Sequence, residues 1–342
     1  MEYNDMLCRI KTNIDEALRR EHFNGTILVS INEKEVIKKG YGMSNFELNI
    51  ENSNKTKFRI GSITKQFTAA SILQLYEKGL LNLNDTLDKY IDNYPNGNNI
   101  TIYNLLTHTS GIFNSTTTKD FRENMRKLHS IDNLVDEFKG KPFYFQPGEK
   151  FSYCNSGYLL LGFIIEKVTN KSYENYINDE ILKKLKMNDS GYDNYKKIIK
   201  NRAAGYEFNK EENFIENCDF IDMSVPYAAG ALYSTVDDLY TWNNNLINGK
   251  VINEDLVNEM FSNHIKCKEG FYGYGVFLDE VEFGGKLRKK IWHTGIIPGF
   301  LSCNEIFKED NIQIIVITNI TNNYFNFIFN KIELIISEGM KY

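Results

Sequence analysis

The chain has 342 residues, 42% of them hydrophobic and 13% aromatic, with a net charge of −5. That length and apolar content support one large domain or two lobes around a sizeable core. The weakly acidic balance, with a pI of about 5.7, argues against a nucleic-acid binder or a basic membrane-surface protein.

In chain order, Met6, Ile10, Ile14 and Leu18 recur at near-helical spacing and predict an amphipathic first helix. No apolar stretch of a secretory signal is visible there, and no window approaches the roughly 18 apolar residues of a membrane span. The expectation is a soluble cytoplasmic protein with no membrane span. "TILVSINEKEVIKKGYG" predicts two strands around a polar turn at Asn32-Glu33-Lys34. "FRIGSITKQFTAA" (58–70) then opens a helix at Gly61-Ser62, with Phe67, Ala70 and Leu73 on its apolar face and a close near Gly79. Ser62 and Lys65 are three apart and share a side of that helix. They read as a nucleophile beside its activator, or as an N-cap followed by a surface lysine.

From about 80 to 265 the pattern is mostly helical. "SGYLLLGFIIEKVTN" is a buried helix, and "STVDDLYTWNNNL" is another, with Ser234 or Thr235 as its N-cap. "KLRKK" (286–290) reads as a solvated loop before a strand. "YGYGVFL", "KKIWHTG", "GFLSCNEIF" and "NIQIIVITN" are strand-like, the last so continuously apolar that both its faces should be covered. "NYFNFIFNKIELIISEGM" predicts a C-terminal helix.

Strands at both ends and helices between them predict an α+β fold. One antiparallel sheet is built from both chain ends, with flanking helices and an inserted all-helical lobe. The α/β lobe takes about residues 1–80 and 266–342, the helical lobe about 81–265, within one catalytic domain spanning 1–342. A cleft between lobes is a usual place for a ligand. Cys8, Cys154, Cys218, Cys267 and Cys303 are odd in number and unpaired in spacing, so free thiols are expected. His264-x-x-Cys267 lacks a matching second pair, so no metal site is expected.

Three short motifs stand in order: Ser62-Ile63-Thr64-Lys65, Tyr153-Cys154-Asn155 and His293-Thr294-Gly295. Together with flanks such as "ITIYNLLTHTSGI", "PGEKFSYCNSGYLLLG" and "AAGALYSTVDDLYTW", the chain resembles the serine β-lactamase and penicillin-binding-protein superfamily over about residues 20–335. In particular it is similar to the class C β-lactamase-related hydrolases, a group of DD-peptidases, D-aminopeptidases and esterases.

The resemblance implies that Ser62 attacks an acyl carbon and forms an acyl-enzyme, while Lys65 and Tyr153 handle its proton. A lysine charge beside the phenol, in a dry cleft, is expected to shift both pKa values toward neutrality, with either residue as the base. The oxyanion hole would be the backbone N–H groups of Ser62 and Ile296. Asn155 would hold Lys65 and a substrate amide; Gly295 would allow close approach; His293 and Thr294 would line the site toward the leaving group or a carboxylate. His108 and Thr109 are expected in a structural turn outside the site, and Cys154 is expected to point away from the cleft.

Two departures matter. Class C β-lactamases carry lysine where His293 stands, and a Tyr-Gly where Ala229-Gly230 stands. An imidazole grips a carboxylate less well than an ammonium, although His-x-Gly also occurs among the peptidases and esterases of the group. The expected function is a serine hydrolase acting on a small ester, amide or D-amino-acid peptide, with no cofactor and a small-molecule acyl substrate as its partner. The alternatives are a class C-type β-lactamase or DD-carboxypeptidase, and a non-catalytic penicillin-binding or scaffold protein. Substrate, stereochemistry and oligomeric state are not encoded in these patterns.

Overall fold

The computed structural model describes residues 2–321 and 325–341. Helix α1 (Glu2–Arg20) leads into a hairpin of β1 (Gly25–Ile31) and β2 (Lys34–Tyr41). Its two loop residues, Asn32 and Glu33, have φ of +49° and +63°, the left-handed pair whose twist suits a tight hairpin. Six later strands complete the sheet: β3 (Ile265–Cys267), β4 (Gly270–Tyr272), β5 (Phe277–Phe283), β6 (Lys286–Ile297), β7 (Phe300–Phe307) and β8 (Ile312–Thr318). The strand order is β3-β4-β5-β6-β7-β8-β1-β2. β8 pairs antiparallel with β1 from Gly25 opposite Thr318 to Ile31 opposite Ile312, so the two chain ends meet inside one sheet.

All seven residues of β8 are buried. Ile312, Ile314 and Val316 pack with Ile10 and Ile14 of α1 and with Ile332 and Ile336 of the C-terminal helix α5 (Phe325–Gly339). Ile315 and Ile317 join the opposite core with Phe67 and Trp242. Alternate side chains of a strand point to opposite faces, so a strand covered on both sides is apolar except where a buried partner satisfies it, as Asn243 and Asn244 do Gln313. That is why "NIQIIVITN" shows so little alternation.

The opposite layer holds α2 (Thr64–Glu77), α3 (Asn155–Thr169) and α4 (Val236–Ile247). Every residue of α2 from Thr64 to Leu75 is buried, as is every residue of α3 from Ser156 to Ile165. Neither helix has a polar stripe over those stretches, as expected of helices surrounded by protein. The start of α4 is settled by Thr235, whose hydroxyl accepts the Asp238 N–H at 3.1 Å.

Three details differ from the sequence expectation. "KLRKK" lies inside β6, where Lys290 pairs with Glu305 of β7 at 2.8 Å and with Glu333 of α5, Lys289 donates to the Phe261 carbonyl, and Arg288 pairs with Asp310; partners from other elements hold in a strand the charges that composition alone marks as loop. "YGYGVFL" is broken: β4 ends at Tyr272 and β5 begins at Phe277. Between them Gly275 has φ +74°, and a Cβ there would stand 2.7 Å from the Lys65 carbonyl oxygen, so the chain bends to let α2 approach. Finally, the middle segment is mainly helical but carries short strands at Gly191–Tyr192, Tyr206–Asn209, Phe214–Asn217 and Leu232–Ser234. Strands of two to four residues are too brief for periodicity to reveal.

Candidate active site

Ser62 lies on a 3-10 turn, Gly61–Ile63, that runs into α2; it makes no capping hydrogen bond, so the N-cap alternative fails. Gly61 has φ +51°, and a Cβ there would stand 2.8 Å from the backbone nitrogen of Ile296. A Cβ on Gly295 would stand 1.9 Å from the carbonyl oxygen of Ile60. Two glycines therefore let the serine turn and the end of β6 touch backbone to backbone. The Ser302 hydroxyl ties them by donating to the Ile60 carbonyl at 2.9 Å.

Lys65, one turn into α2, is 0% exposed. Its Nζ lies 3.0 Å from Ser62 Oγ, 2.9 Å from Asn155 Oδ1 and 2.8 Å from the Ala229 carbonyl oxygen. It also lies 4.9 Å from the centre of the Tyr153 ring. Burial lowers its pKa to about 7, because the ammonium has left water and no carboxylate replaces that solvation. The Asn155 amide is orientated by its neighbours: Oδ1 faces the lysine and Nδ2 donates to Thr116 Oγ1 at 3.4 Å.

Tyr153 and Asn155 flank Cys154 just before and at the start of α3. Cys154 turns away and is buried, its Sγ 3.6 Å from the Ile112 carbonyl. Burial raises the Tyr153 pKa well above the usual phenol value, against a smaller lowering by its hydrogen bond with Ser62. The two expected shifts toward neutrality are thus corrected to one. Desolvation disfavours whichever form is charged, so it lowers lysine and raises tyrosine.

Behind Tyr153 lies a buried polar layer. The Cys154 N–H donates to His108 Nδ1 at 3.1 Å, which leaves the His108 proton on Nε2, 3.1 Å from the Tyr272 hydroxyl. That hydroxyl is 3.3 Å from His293 Nε2, and His293 Nδ1 donates to the Thr294 carbonyl at 2.6 Å. A backbone N–H can only donate and a carbonyl can only accept, so both tautomers are fixed. Burial, reinforced by the nearby Lys65, pushes the His108 pKa well below its ordinary value and that of His293 to about 3. Both rings are neutral near pH 7. His108 sits on a left-handed residue (φ +57°) in a turn, as expected, yet its ring centre is only 4.4 Å from that of Tyr153.

Ser62, Asn155, Gly230 and Ile296 open onto a cavity of about 250 Å³ whose walls are largely apolar, including Phe121, Leu134, Ile221 and Val225. Thr294 and Gly295 line an adjoining groove with Lys210, and Ile296 borders both spaces. His293 is 1% exposed and lines neither. The structure thus gathers Ser62, Lys65, Tyr153, Asn155 and the Ile296 backbone at one point, with Thr294 beside it and His293 behind it. Tyr272 and Ser302 were missed from sequence. The repeated Tyr-Gly of "YGYG" marked a bend, while a lone serine on a strand carries no signal.

A model of the Beta-lactamase family matches residues 10–333. Protein flp of Staphylococcus aureus (strain MW2) is 32% identical over 331 residues, 94% of this chain, and the chain spans 64% of that protein's length. The crystal structure of a penicillin-binding protein from Bacillus halodurans superposes with a TM-score of 0.83 at 26% identity, covering 94% of this chain and 98% of that one. D-amino acid amidase from Ochrobactrum anthropi SV3, crystallised with L-phenylalanine amide, gives 0.84 at 22% identity, over 98% and 99% of the two chains, a likeness of fold.

Proposed function

The chain belongs to the Beta-lactamase family, and on that premise we propose that it is a serine hydrolase that acylates Ser62 with a small ester or amide, including amides of amino acids. The observation that carries this reading is the Lys65 ammonium site. Of the three oxygens around Nζ, Asn155 Oδ1 and the Ala229 carbonyl can only accept. A neutral Lys65 donates one hydrogen to each and turns its lone pair to Ser62, the one neighbour with a proton to give. A pKa of about 7 makes the neutral amine available near pH 7.

Ser62 Oγ then attacks the acyl carbon as its proton passes to Lys65 Nζ. The oxygen of the tetrahedral intermediate lies against the Ser62 and Ile296 backbone N–H groups. Tyr153, kept as a phenol, relays a proton to the leaving alcohol or amine as the ester or amide bond breaks. Water repeats the sequence on the acyl-enzyme and releases the acid. His293, neutral and bonded to Tyr272, orders the wall behind Tyr153 and offers no cation to a substrate carboxylate. That favours an esterase or amidase over a β-lactamase.

The test is intact-protein mass spectrometry after incubation with a fluorophosphonate, followed by peptide mapping. One adduct on Ser62, absent from Ser62→Ala, is expected. An adduct that persists in Ser62→Ala overturns the assignment.

A further inference from the structure

Tyr153 carries a proton in the reaction proposed above, yet it stands on no helix or strand. Phe151 to Cys154 have no regular structure, and α3 begins only at Asn155. A side chain on irregular backbone is placed less precisely than one on a helix or strand, unless bonds from its surroundings hold it. Here the bonds on either side of Tyr153 run to one residue. The Ser152 N–H donates to the His108 carbonyl at 2.9 Å, and the Cys154 N–H donates to His108 Nδ1 at 3.1 Å. The His108 ring also lies against the Tyr153 ring, with centres 4.4 Å apart.

His108 is itself held. Its backbone is left-handed, at φ +57°, a conformation unfavourable for most L residues. The next residue fixes the turn: the Thr109 N–H donates to the Asn104 carbonyl at 2.9 Å, and the Thr109 carbonyl accepts the Gly148 N–H at 2.7 Å. The ring is fixed by the Tyr272 hydroxyl, 3.1 Å from Nε2. Burial pushes the His108 pKa well below its ordinary value, and only a neutral ring has a lone pair at Nδ1 to accept the Cys154 N–H. His108 lines neither the cavity nor the groove.

We propose that His108 is a positioning residue, which clamps the two peptide groups flanking Tyr153 and so aims the phenol at the leaving group. The inference rests on the serine-hydrolase reading above and adds to it a residue that acts through Tyr153 and not on the substrate. Without the clamp the phenol is free to shift, and a misplacement of about 1 Å costs up to about a hundredfold in rate. The loss should fall on substrates whose leaving group needs a proton.

The experiment compares the ethyl and p-nitrophenyl esters of one acyl group. Ethoxide must be protonated to leave; p-nitrophenolate leaves as the anion. The quantity read is the ratio of kcat/KM for the p-nitrophenyl ester to that for the ethyl ester, measured on the same protein, so that a loss of folded enzyme cancels. Tyr153→Phe should raise this ratio by about 10²-fold or more. His108→Gln, whose longer amide reaches toward Tyr272 and leaves the Cys154 N–H without an acceptor, should raise it by about tenfold or more, as should His108→Ala. Added to Tyr153→Phe, neither should raise it further, because the phenol they aim is gone. His108→Asn sets an amide oxygen near the place of Nδ1 and tolerates the left-handed backbone, so it should return the ratio most of the way to the wild-type value. Circular dichroism establishes which variants are folded, and His108→Gln and His108→Ala are both made so that one loss variant is read in a folded protein. With the ratio raised in Tyr153→Phe, a wild-type ratio in folded His108→Gln or His108→Ala overturns the proposal. So does a further rise in the double variants, or a ratio in His108→Asn as high as in His108→Gln. A ratio unmoved in Tyr153→Phe, or turnover undiminished in Ser62→Ala, overturns the serine-hydrolase reading, so the two failures are distinct.

Discussion

In the proposed mechanism, burial of a single ammonium sets the chemistry at the residue scale. With the Lys65 pKa lowered to about 7, the amine is free above that pH and protonated below it. For a substrate that does not titrate, kcat/KM should therefore rise as pH increases through about 7 and fall below it; a pH–rate profile flat from about pH 5 to 9 would remove Lys65 as the base. Lys65→Ala and Tyr153→Phe should each lower kcat by about 10²–10⁴-fold with little change in KM. The double variant should be scarcely worse than the poorer single one, because the two serve one proton path. Steady-state kinetics of the three variants checks this, and additive losses would mean independent roles. Tyr272 acts differently. Removing its hydroxyl leaves two buried imidazole nitrogens without their partner, so Tyr272→Phe should cost about 1–3 kcal/mol per orphaned group. In urea titrations the midpoint should fall at constant slope; an unmoved midpoint contradicts the bonding described.

At the scale of elements, the geometry of the proposed site depends on how closely the Ser62 turn meets the end of β6. Gly295→Ala places a methyl 1.9 Å from the Ile60 oxygen and 2.4 Å from Ser302 Oγ, so strand and turn must part. The variant should lose about 1–3 kcal/mol of stability and most of its kcat, read by denaturant melts and by turnover of an activated ester. Normal turnover would show that the contact is dispensable. This junction also shows what sequence could and could not disclose. Ser62, Lys65, Tyr153 and Asn155 were legible because short motifs place them within one or two residues of an element boundary. β1, β7 and β8 were legible because their apolar runs are long and bounded by turn residues, and β2 because it follows β1 across a polar turn. The interior of β6 was obscured by its basic residues, whose partners Glu305, Glu333 and Asp310 come from distant parts of the chain. His108, Tyr272 and His293 are bonded across 164 and 21 residues, and no local spacing signals such a set. The direction of the Tyr153 shift was illegible for a related reason: it is decided by burial, which many distant segments supply together.

For the whole molecule, the sheet needs both of its covering helices. Ile312, Ile314 and Val316 of β8 share a core with α1 and α5, so deleting residues 325–342 should expose an apolar sheet face and yield an aggregated chain. Sedimentation and circular dichroism of the truncated protein check this; a monomeric, cooperatively folded product would refute it. The pairing of Gly25 with Thr318 has a consequence in time. On a ribosome adding about 5–20 residues per second, Ser62 and Lys65 emerge on the order of ten seconds or more before Gly295 and Ile296. During that interval the serine turn has no strand to lean on, and the first hairpin lacks the neighbour that joins it to the sheet. A lysine still in water keeps its ordinary high pKa and its proton, so the unfinished chain carries the proposed nucleophile, Ser62, unarmed. On the proposed mechanism, activity waits for the last strands, and a polypeptide abandoned part-way through synthesis has no base for Ser62.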